Sequence, residues 1–266
     1  MRAGHGLVAL LTDFGTRDWY VAALKGVLLS RAPRARLVDI THELPPQDIV
    51  AGGFTLAAAA PSFPADTVFL AIVDPGVGTS RALLAARADG RWFVGPDNGL
   101  LAPSLAQAGS RTVVTLTNRR YWGASISRTF HGRDIMAPVA AYLARGGALQ
   151  RLGPVRSQVV PWPIPSVREC RGVVSGIVAH IDVFGNLITT LEATRWLGQH
   201  PKGLVRLRYR GRGVTMVSSY AEGRPNELVA VVGSLGLIEL AVPLGSAAAR
   251  TGARRGDPVW LLRRDQ

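Results

Sequence analysis

An aspartate and an arginine flank a short glycine-rich turn in the first half of the chain. Asp74 follows an apolar run, residues 67–73, whose β-branched and aromatic composition predicts a buried strand. In open α/β sheets, ligands bind just beyond the carboxyl ends of strands. Arg81 comes seven residues later, far enough for the loop to fold back and set its guanidinium against the carboxylate. The alternative is a surface Asp-Pro-Gly turn, which is a common use of these residues.

A second acidic residue also follows a predicted strand. Asp13 ends the apolar run 6–12 and precedes a predicted helix, residues 18–30. A carboxylate at a strand end can accept hydrogen bonds from two ribose hydroxyls, but a helix-capping role explains it equally well. The turn is not a G-x-G-x-x-G fingerprint, so a standard dinucleotide-binding fold is not predicted.

His131 lies in a polar segment, residues 127–134, that precedes a predicted helix over 135–143. A helix N-terminus presents free N–H groups and a positive dipole end, which suit an anion or a polarised water. The alternative is a histidine in a capping loop. A second histidine, His42, adjoins Glu43, but no further metal ligand stands at helical spacing, so a loop histidine without metal is favoured.

Two polar turns stand out in the last hundred residues. In the first, Phe184 has the flat apolar face to stack on a ring, while Asp182 and Asn186 have the oxygens and amide to hold an ammonium or amide group. The second turn runs from residue 233 to Glu239.

Composition limits the class of protein. The chain has 266 residues, is 47% hydrophobic and 18% charged, and contains no apolar run long enough to span a membrane. We see no cleavable signal peptide, and Cys170 is the single cysteine, which fits a reducing compartment. A cytoplasmic, globular protein without a membrane partner is expected.

The net charge of +13 raises a nucleic-acid hypothesis, which we do not favour. Lys25 and Lys202 are the only lysines, and the arginines are scattered along the chain. The cluster 206–212 alternates with apolar residues like the exposed face of a strand. No nucleic-acid partner is therefore expected.

The order of predicted elements indicates two domains of an α/β protein. Strands alternate with helices to about residue 145, which predicts a Rossmann-like, mostly parallel sheet in residues 1–153. Four prolines around Trp162 indicate an extended linker over 154–168. Short strands separated by glycine turns then predict a smaller antiparallel β-barrel domain in residues 169–266.

Seven motifs in order resemble those of the S-adenosyl-L-methionine (SAM) hydroxide adenosyltransferase family, whose members hydrolyse SAM to adenosine and are related to SAM fluorinases and chlorinases. The motifs span nearly the whole chain: Leu11-Thr12-Asp13-Phe14-Gly15, Asp39-Ile40-Thr41-His42, Asp74-Pro75-Gly76-Val77-Gly78-Thr79, Pro96-Asp97-Asn98-Gly99, Thr129-Phe130-His131-Gly132-Arg133-Asp134, Asp182-Val183-Phe184-Gly185-Asn186 and Gly233-Ser234-Leu235-Gly236.

The resemblance implies roles for particular residues. The family's catalytic triad matches Asp74, Arg81 and His131, whereas the halogenase branch carries a tyrosine in place of Asp74. The family's methionine contacts match Asp182, with Phe184 lining the pocket. Its adenosine contacts match the following residues: Asp13, Asp74, Asn186, Ser234, Glu239 and the backbone of Val242. One departure is Pro243, where many relatives have asparagine and where proline lacks both an amide side chain and a backbone N–H.

The expected function is therefore attack of an activated water or hydroxide on the ribose C5′ of SAM, releasing adenosine and L-methionine. The alternatives are a SAM-dependent halogenase and a SAM- or adenosine-binding protein without turnover. SAM is the substrate, so no cofactor is expected, and no metal. The resemblance also implies a homotrimer in which the N-terminal domain of one subunit and the C-terminal domain of its neighbour form the site.

Overall fold

A computed structural model describes residues 6–197 and 205–263 of the chain. Contacts between Cα atoms divide it into two compact units, residues 1–163 and 164–266. The division falls inside the proline-rich segment 154–168 that was predicted as a linker. The first ten residues of that segment belong to the first unit because they bond along its edge: Pro154 accepts from Thr115 N at 3.0 Å, and Arg156 N donates to Val113 at 2.8 Å.

A six-stranded mixed sheet forms the centre of the first unit, with strand order β2-β1-β3-β5-β4-β6. The three pairs among β2, β1, β3 and β5 are parallel, and the two pairs that β4 makes are antiparallel. This arrangement confirms the prediction of a mostly parallel sheet. The strands are β1 (Leu7–Thr12), β2 (Arg36–Thr41), β3 (Val68–Ile72), β4 (Leu83–Ala88), β5 (Arg91–Pro96) and β6 (Arg111–Thr115).

Helices cover both faces of this sheet and create two apolar cores. On one face, Leu24 and Leu28 pack against Val8 and Leu10 of β1. On the other face, Leu56 is fully buried in a core that contains the alternate residues of β1. A fully buried leucine stabilises the fold by about 1.5–3 kcal/mol. The helices are α1 (Tyr20–Arg31), α2 (Ile49–Ala59), α3 (Ala102–Ala106) and α4 (Ala137–Ala144).

The connections of β1 create a crevice at its carboxyl end. The chain leaves β1 through α1 to β2 on one side, then crosses through α2 to β3 on the other side of β1. Helices α1 and α2 lie on opposite faces of the sheet. At the end of the sheet where β1 and β3 finish, the connection from β1 runs towards β2, and the connection from β3 runs the opposite way, towards β4. Such a topological switch point is where doubly wound α/β proteins bind ligands.

The helix predicted over 135–143 begins differently from the expectation. A π-helical turn, Gly132–Met136, directly follows His131, and α4 starts only at Ala137, with Pro138 in its first turn. The predicted helix is therefore present, but helical structure starts three residues earlier than predicted, in a π-turn. Single π-turns are frequent at functional sites.

The second unit is a closed seven-stranded barrel, as predicted. Its order is β14-β10-β11-β12-β13-β9-β8, and pairing of β14 with β8 closes the ring, while β7 extends β8. All pairs are antiparallel except β11 with β12, which is parallel. The strands are β7 (Arg168–Cys170), β8 (Val173–Ile181), β9 (Leu187–Glu192), β10 (Val205–Tyr209), β11 (Arg212–Met216), β12 (Val229–Val232), β13 (Leu237–Ala241) and β14 (Pro258–Arg263).

Two short helices, α5 (Ala193–Trp196) and α6 (Ala247–Thr251), accompany the barrel. Alternation along β10 buries Leu207 and Tyr209 and exposes Arg206 and Arg208, so the arginine cluster includes a strand face as predicted. Within the described residues, no helix is both long and apolar enough to cross a membrane.

Candidate active site

A cavity of about 440 Å³ opens at the switch point of the first unit. Its walls come from the ends of β1 and β3, the loop after β2, the start of α1 and the segment before the π-turn. The lining residues are Asp13, Phe14, Tyr20, Pro46, Gln47, Ile72, Asp74, Pro75, Val77, Thr129, Phe130, His131 and Gly132.

Arg81 contacts both Asp74 and His131 beside this cavity. Arg81 donates from Nε and Nη2 to the two carboxylate oxygens of Asp74, a bidentate pair. Both side chains are over 90% buried. Nη1 and Nη2 of Arg81 each lie 3.2 Å from Nδ1 of His131. The loop therefore folds back as expected, and it brings a fixed cation between a carboxylate and an imidazole.

The surroundings of His131 favour its neutral form. Burial lowers the pKa of His131, and the positive charge of Arg81 lowers it further, against the weaker opposing effect of Asp74. An arginine has only N–H groups to offer, so Nδ1 of His131 must be the acceptor in these contacts. The neutral ring then carries its proton on Nε2.

The two loops of this site touch each other at a glycine. Gly78 has a φ of +83°, and a Cβ at this position would stand 2.5 Å from the carbonyl oxygen of Arg128. Only glycine combines this left-handed conformation with so close an approach. The Asp74 loop is also tied to the sheet, since Asn98 Nδ2 donates to the carbonyl of Val73 at 2.8 Å.

Asp134 holds the segment that precedes His131. Its Oδ2 accepts from Ser127 N at 2.8 Å, and its carbonyl accepts from Gly123 N at 2.7 Å. Arg133 donates to its Oδ1 at 2.7 Å, and the pKa of Asp134 is lowered because these bonds outweigh the effect of burial. Asp134, which follows the histidine, thus holds Gly123 and Ser127, which precede it.

Asp13 does not cap α1. That helix starts at Tyr20, and its N-cap residue, Trp19, makes no side-chain capping bond. Asp13 instead lines the cavity, and its Oδ2 accepts from Gln47 N at 2.7 Å. The capping alternative is therefore wrong, and the carboxylate faces the same cavity as Asp74.

The second unit carries candidate residues of its own. Asp182 and Asn186 are joined within one turn: Oδ1 of Asp182 accepts from Phe184 N at 3.0 Å and Asn186 N at 2.8 Å, and Oδ2 accepts from Asn186 Nδ2 at 2.9 Å. The Phe184 side chain projects outward, with the residue 73% exposed. The turn thus exposes the aromatic ring of Phe184, and the hydrogen bonds between Asp182 and Asn186 stabilise the turn itself.

Glu239 lies buried near this turn. Burial raises the pKa of Glu239, and the negative charge of Asp182 raises it further, against the hydrogen bond from Tyr220. Tyr220 donates from its hydroxyl to Oε2 at 2.8 Å, and burial and this bond raise the pKa of Tyr220 to about 12. The Glu239 side chain covers Gly233, next to Ser234 in an exposed turn. The structure therefore brings Asp182 and Glu239 within electrostatic reach.

Val242 accepts at its carbonyl from Gly245 N at 3.0 Å. Its side chain is buried in the barrel core. Pro243 follows it and would be the nearest neighbour of a Cβ at Gly223, at 2.8 Å.

Sequence reasoning missed several residues around these groups. Tyr20 lines the cavity, although an aromatic residue inside the predicted helix 18–30 indicates a core position. Neither Gln47 nor Tyr220 could be identified from the sequence. Gln47 contributes its backbone N–H, which gives no sequence pattern, and Tyr220 lies far along the chain from its partner Glu239. Residues 6–197 and 205–263 contain no group of three or more His, Cys, Asp or Glu side chains placed to hold a metal ion.

Comparisons with known proteins match both units to one family. Residues 8–153 match the model of the SAM hydroxide adenosyltransferase N-terminal domain, and residues 176–260 match that of the C-terminal domain.

Relatives align along almost the whole chain. The (R)-S-adenosyl-L-methionine hydrolase of Salinispora tropica is 42% identical over 253 residues, covering 94% of this chain and 95% of the relative. The protein of the same name from Thermus thermophilus is 40% identical over 268 residues, covering 96% and 99%. A fluorinase of Actinoplanes sp. is 30% identical over 218 residues, covering 72% and 73%. The crystal structure of an uncharacterized conserved protein from Thermotoga maritima has a TM-score of 0.88 at 33% identity, covering 96% of this chain and all of that one.

Proposed function

We propose, since the chain belongs to the SAM hydroxide adenosyltransferase family, that it hydrolyses SAM to adenosine and L-methionine by attack of water or hydroxide on the ribose C5′. The observation that carries the proposal is that Arg81 contacts both Asp74 and His131 beside a cavity at the switch point. Relatives at 40–42% identity named (R)-S-adenosyl-L-methionine hydrolase support the substrate and the reaction.

The chemistry needs a positioned oxygen nucleophile and little else. The C5′–S bond breaks as the C5′–O bond forms, and methionine leaves as a neutral thioether, so the leaving group needs no proton. Water must be held in line with the C5′–S bond at near-attack distance and must lose a proton.

The triad provides these functions in our proposal. Nε2–H of His131 donates to the attacking oxygen and orients it, since Nδ1 is occupied by Arg81. The guanidinium of Arg81 stabilises developing hydroxide character. Asp74, which has spare lone pairs on its two oxygens, is the remaining acceptor for the proton that the water loses.

Substrate binding is assigned to the other candidate residues. Asp13 accepts hydrogen bonds from the ribose hydroxyls through the oxygen that Gln47 leaves free. Asp182 pairs with the ammonium of the methionine moiety, and Phe184 lines the pocket. Asn186, Ser234, Glu239 and the Val242 backbone contact adenosine, with Asp74 contributing from the triad. No cofactor or metal takes part in this scheme.

We further propose a homotrimer whose site combines the first unit of one subunit with the second unit of its neighbour. Exposed large apolar residues support an interface: Val183, Phe184 and Leu244 in the second unit, and Trp19 in the first. A cytoplasmic location is proposed from the single free cysteine, Cys170.

The test is to incubate the purified protein with SAM, with and without chloride or fluoride, and to separate the products by chromatography. We expect adenosine and methionine in equal amounts, independent of halide. A halide-dependent 5′-halo-adenosine would assign the chain to the halogenase branch. SAM that binds but remains intact would indicate a binding protein without turnover.

A further inference from the structure

A buried histidine that the proposed reaction does not use lies directly behind Asp13. His42 is 3% exposed, and its Nδ1 is 2.8 Å from Oγ1 of Thr12, the last residue of β1, which is itself fully buried. On its other side, Nε2 of His42 is 3.0 Å from Oδ1 of Asp39, and Oδ2 of Asp39 accepts from Lys25 Nζ at 2.6 Å. The imidazole thus bridges a surface ion pair and the end of the central strand.

The same histidine fixes the loop on both sides of Asp13. Thr12 Oγ1 accepts from Phe14 N at 3.3 Å, which closes a turn around Asp13. The carbonyl of His42 accepts from Gly15 N at 2.7 Å. The segment that follows His42 also supplies Gln47 N, the donor to Asp13 Oδ2. The direction of the Asp13 carboxylate is therefore set by bonds that converge on the segment 42–47.

We propose that His42 is a positioning residue: through the Thr12 hydroxyl and the Gly15 amide it fixes the Asp13 carboxylate toward the ribose of SAM. This inference rests on the proposed function. One hydrogen bond joins the Thr12 hydroxyl to Nδ1 of His42, and Nε2 lies 3.0 Å from Oδ1 of Asp39, so both ring nitrogens have polar neighbours. A binding carboxylate must be held within a fraction of an ångström, which is done by residues behind it.

Substitutions can remove the contact of each ring nitrogen of His42 separately. Thr12→Val removes the hydroxyl at constant shape. His42→Gln places its amide near the position of Nε2, which keeps the Asp39 contact and loses Thr12. His42→Asn places its amide oxygen near the position of Nδ1 and does the reverse. A matched control is Thr67→Val. Thr67 is 1% exposed and donates to Pro64 O at 2.7 Å. It lies just before β3, at the amino ends of the parallel strands and so at the end of the sheet opposite the cavity.

The experiment measures KM and kcat for SAM together with Tm for each variant. We expect Thr12→Val and His42→Gln to raise KM about 5- to 10-fold with kcat within about twofold, which is the signature of lost ground-state binding. His42→Asn is expected to stay closer to the wild-type KM than His42→Gln. Thr67→Val is expected to lower Tm without changing KM.

A double-mutant cycle with Asp13→Ala gives the decisive comparison. Because Thr12 acts only through Asp13 in this proposal, Thr12→Val should raise KM no further once Asp13 is alanine. An equal increase with and without Asp13, or KM unchanged while Tm falls, would overturn the positioning role and leave hydrolysis intact. Wild-type protein that neither binds nor cleaves SAM would overturn both the role and the proposed function.

Discussion

Asp74 and Arg81 illustrate how one pair of side chains sets the chemistry of this site. The carboxylate holds the guanidinium in a bidentate pair, and the guanidinium in turn lies against the imidazole of His131. The charge of Arg81 favours the neutral form of the histidine beside it. The three groups therefore form one unit, and single substitutions are expected to be non-additive.

Removing either end of this triad is expected to lower kcat far more than it raises KM. In His131→Ala and Asp74→Asn, the water loses its orienting donor or its proton acceptor, whereas the ribose contact of Asp13 and the proposed contacts of the second unit remain. We expect a loss in kcat on the order of 10²- to 10⁴-fold, with KM changed only a few-fold, in steady-state assays of SAM hydrolysis. A raised KM with unchanged kcat would show that these residues bind SAM and do not act on water.

The lowered pKa of His131 gives the reaction an acid limit. Protonation of the ring would put a positive charge against Arg81, so the active form is the neutral one. We expect kcat/KM to fall with decreasing pH at a midpoint below the ordinary histidine pKa of 6.5.

The cause of that midpoint can be checked by NMR titration of His131. In Arg81→Met the opposing cation is gone while Asp74 remains, so the midpoint should move to higher pH. A His131 midpoint above 6.5 in the wild-type protein, or no change on removing Arg81, would contradict the electrostatic explanation.

At the level of elements, the site depends on two loops that meet at Gly78. The loop after β3 carries Asp74, and the segment before the π-turn carries His131, so their contact sets the spacing of the triad. Gly78 allows this contact through its φ of +83° and its missing side chain.

Gly78→Ala should therefore impair both stability and activity. Gly146 supplies the matched control, since it has the same φ of +83° but no atom within 4 Å of a Cβ placed there. Backbone strain of about 1–3 kcal/mol is common to both substitutions, whereas only Gly78→Ala forces the two loops apart. We expect similar losses in Tm from strain, an additional loss in Gly78→Ala, and a fall in kcat in that variant alone. Equal kinetics in the two variants would show that the loop contact does not set the triad.

At the level of the whole molecule, the order of predicted strands and helices was enough to predict the architecture, because the architecture follows from repeated patterns of apolar and turn residues. Apolar strands alternating with helices require a parallel sheet, and short strands with glycine turns close into a barrel. Asp13, Asp74 and His131, which line one cavity, could be singled out from the sequence because each follows or precedes a predicted element. Tyr20 was missed because an aromatic at helical spacing indicates a core position.

Other features depend on contacts that no local pattern encodes. The parallel pairing of β11 with β12 joins strands that no short turn connects. The segment 154–160 bonds to the first unit through Arg156, which pairs with Asp97 at 2.8 Å. The π-turn after His131 has no sequence signature of its own, and its residues read as an ordinary helix start.

The proposed inter-subunit site predicts complementation between inactive variants. His131→Ala damages the first unit and Asp182→Ala the second, so each homo-oligomer lacks complete sites. Co-expressed with different tags and purified through both, mixed oligomers should regain activity, because a cyclic trimer that contains both variants has about one third of its sites intact. Activity that never exceeds the sum of the two separate variants would place both halves of the site in the same chain.

The central claim is that water attacks C5′ of SAM, and labelled water tests it most directly. Hydrolysis in H₂¹⁸O with mass analysis of both products should give adenosine that carries one ¹⁸O atom and methionine that carries none. Loss of the labelled adenosine in His131→Ala would tie the reaction to the triad. Unlabelled adenosine, or cleavage that leaves methylthioadenosine and places the label on the amino-acid fragment, would contradict the account.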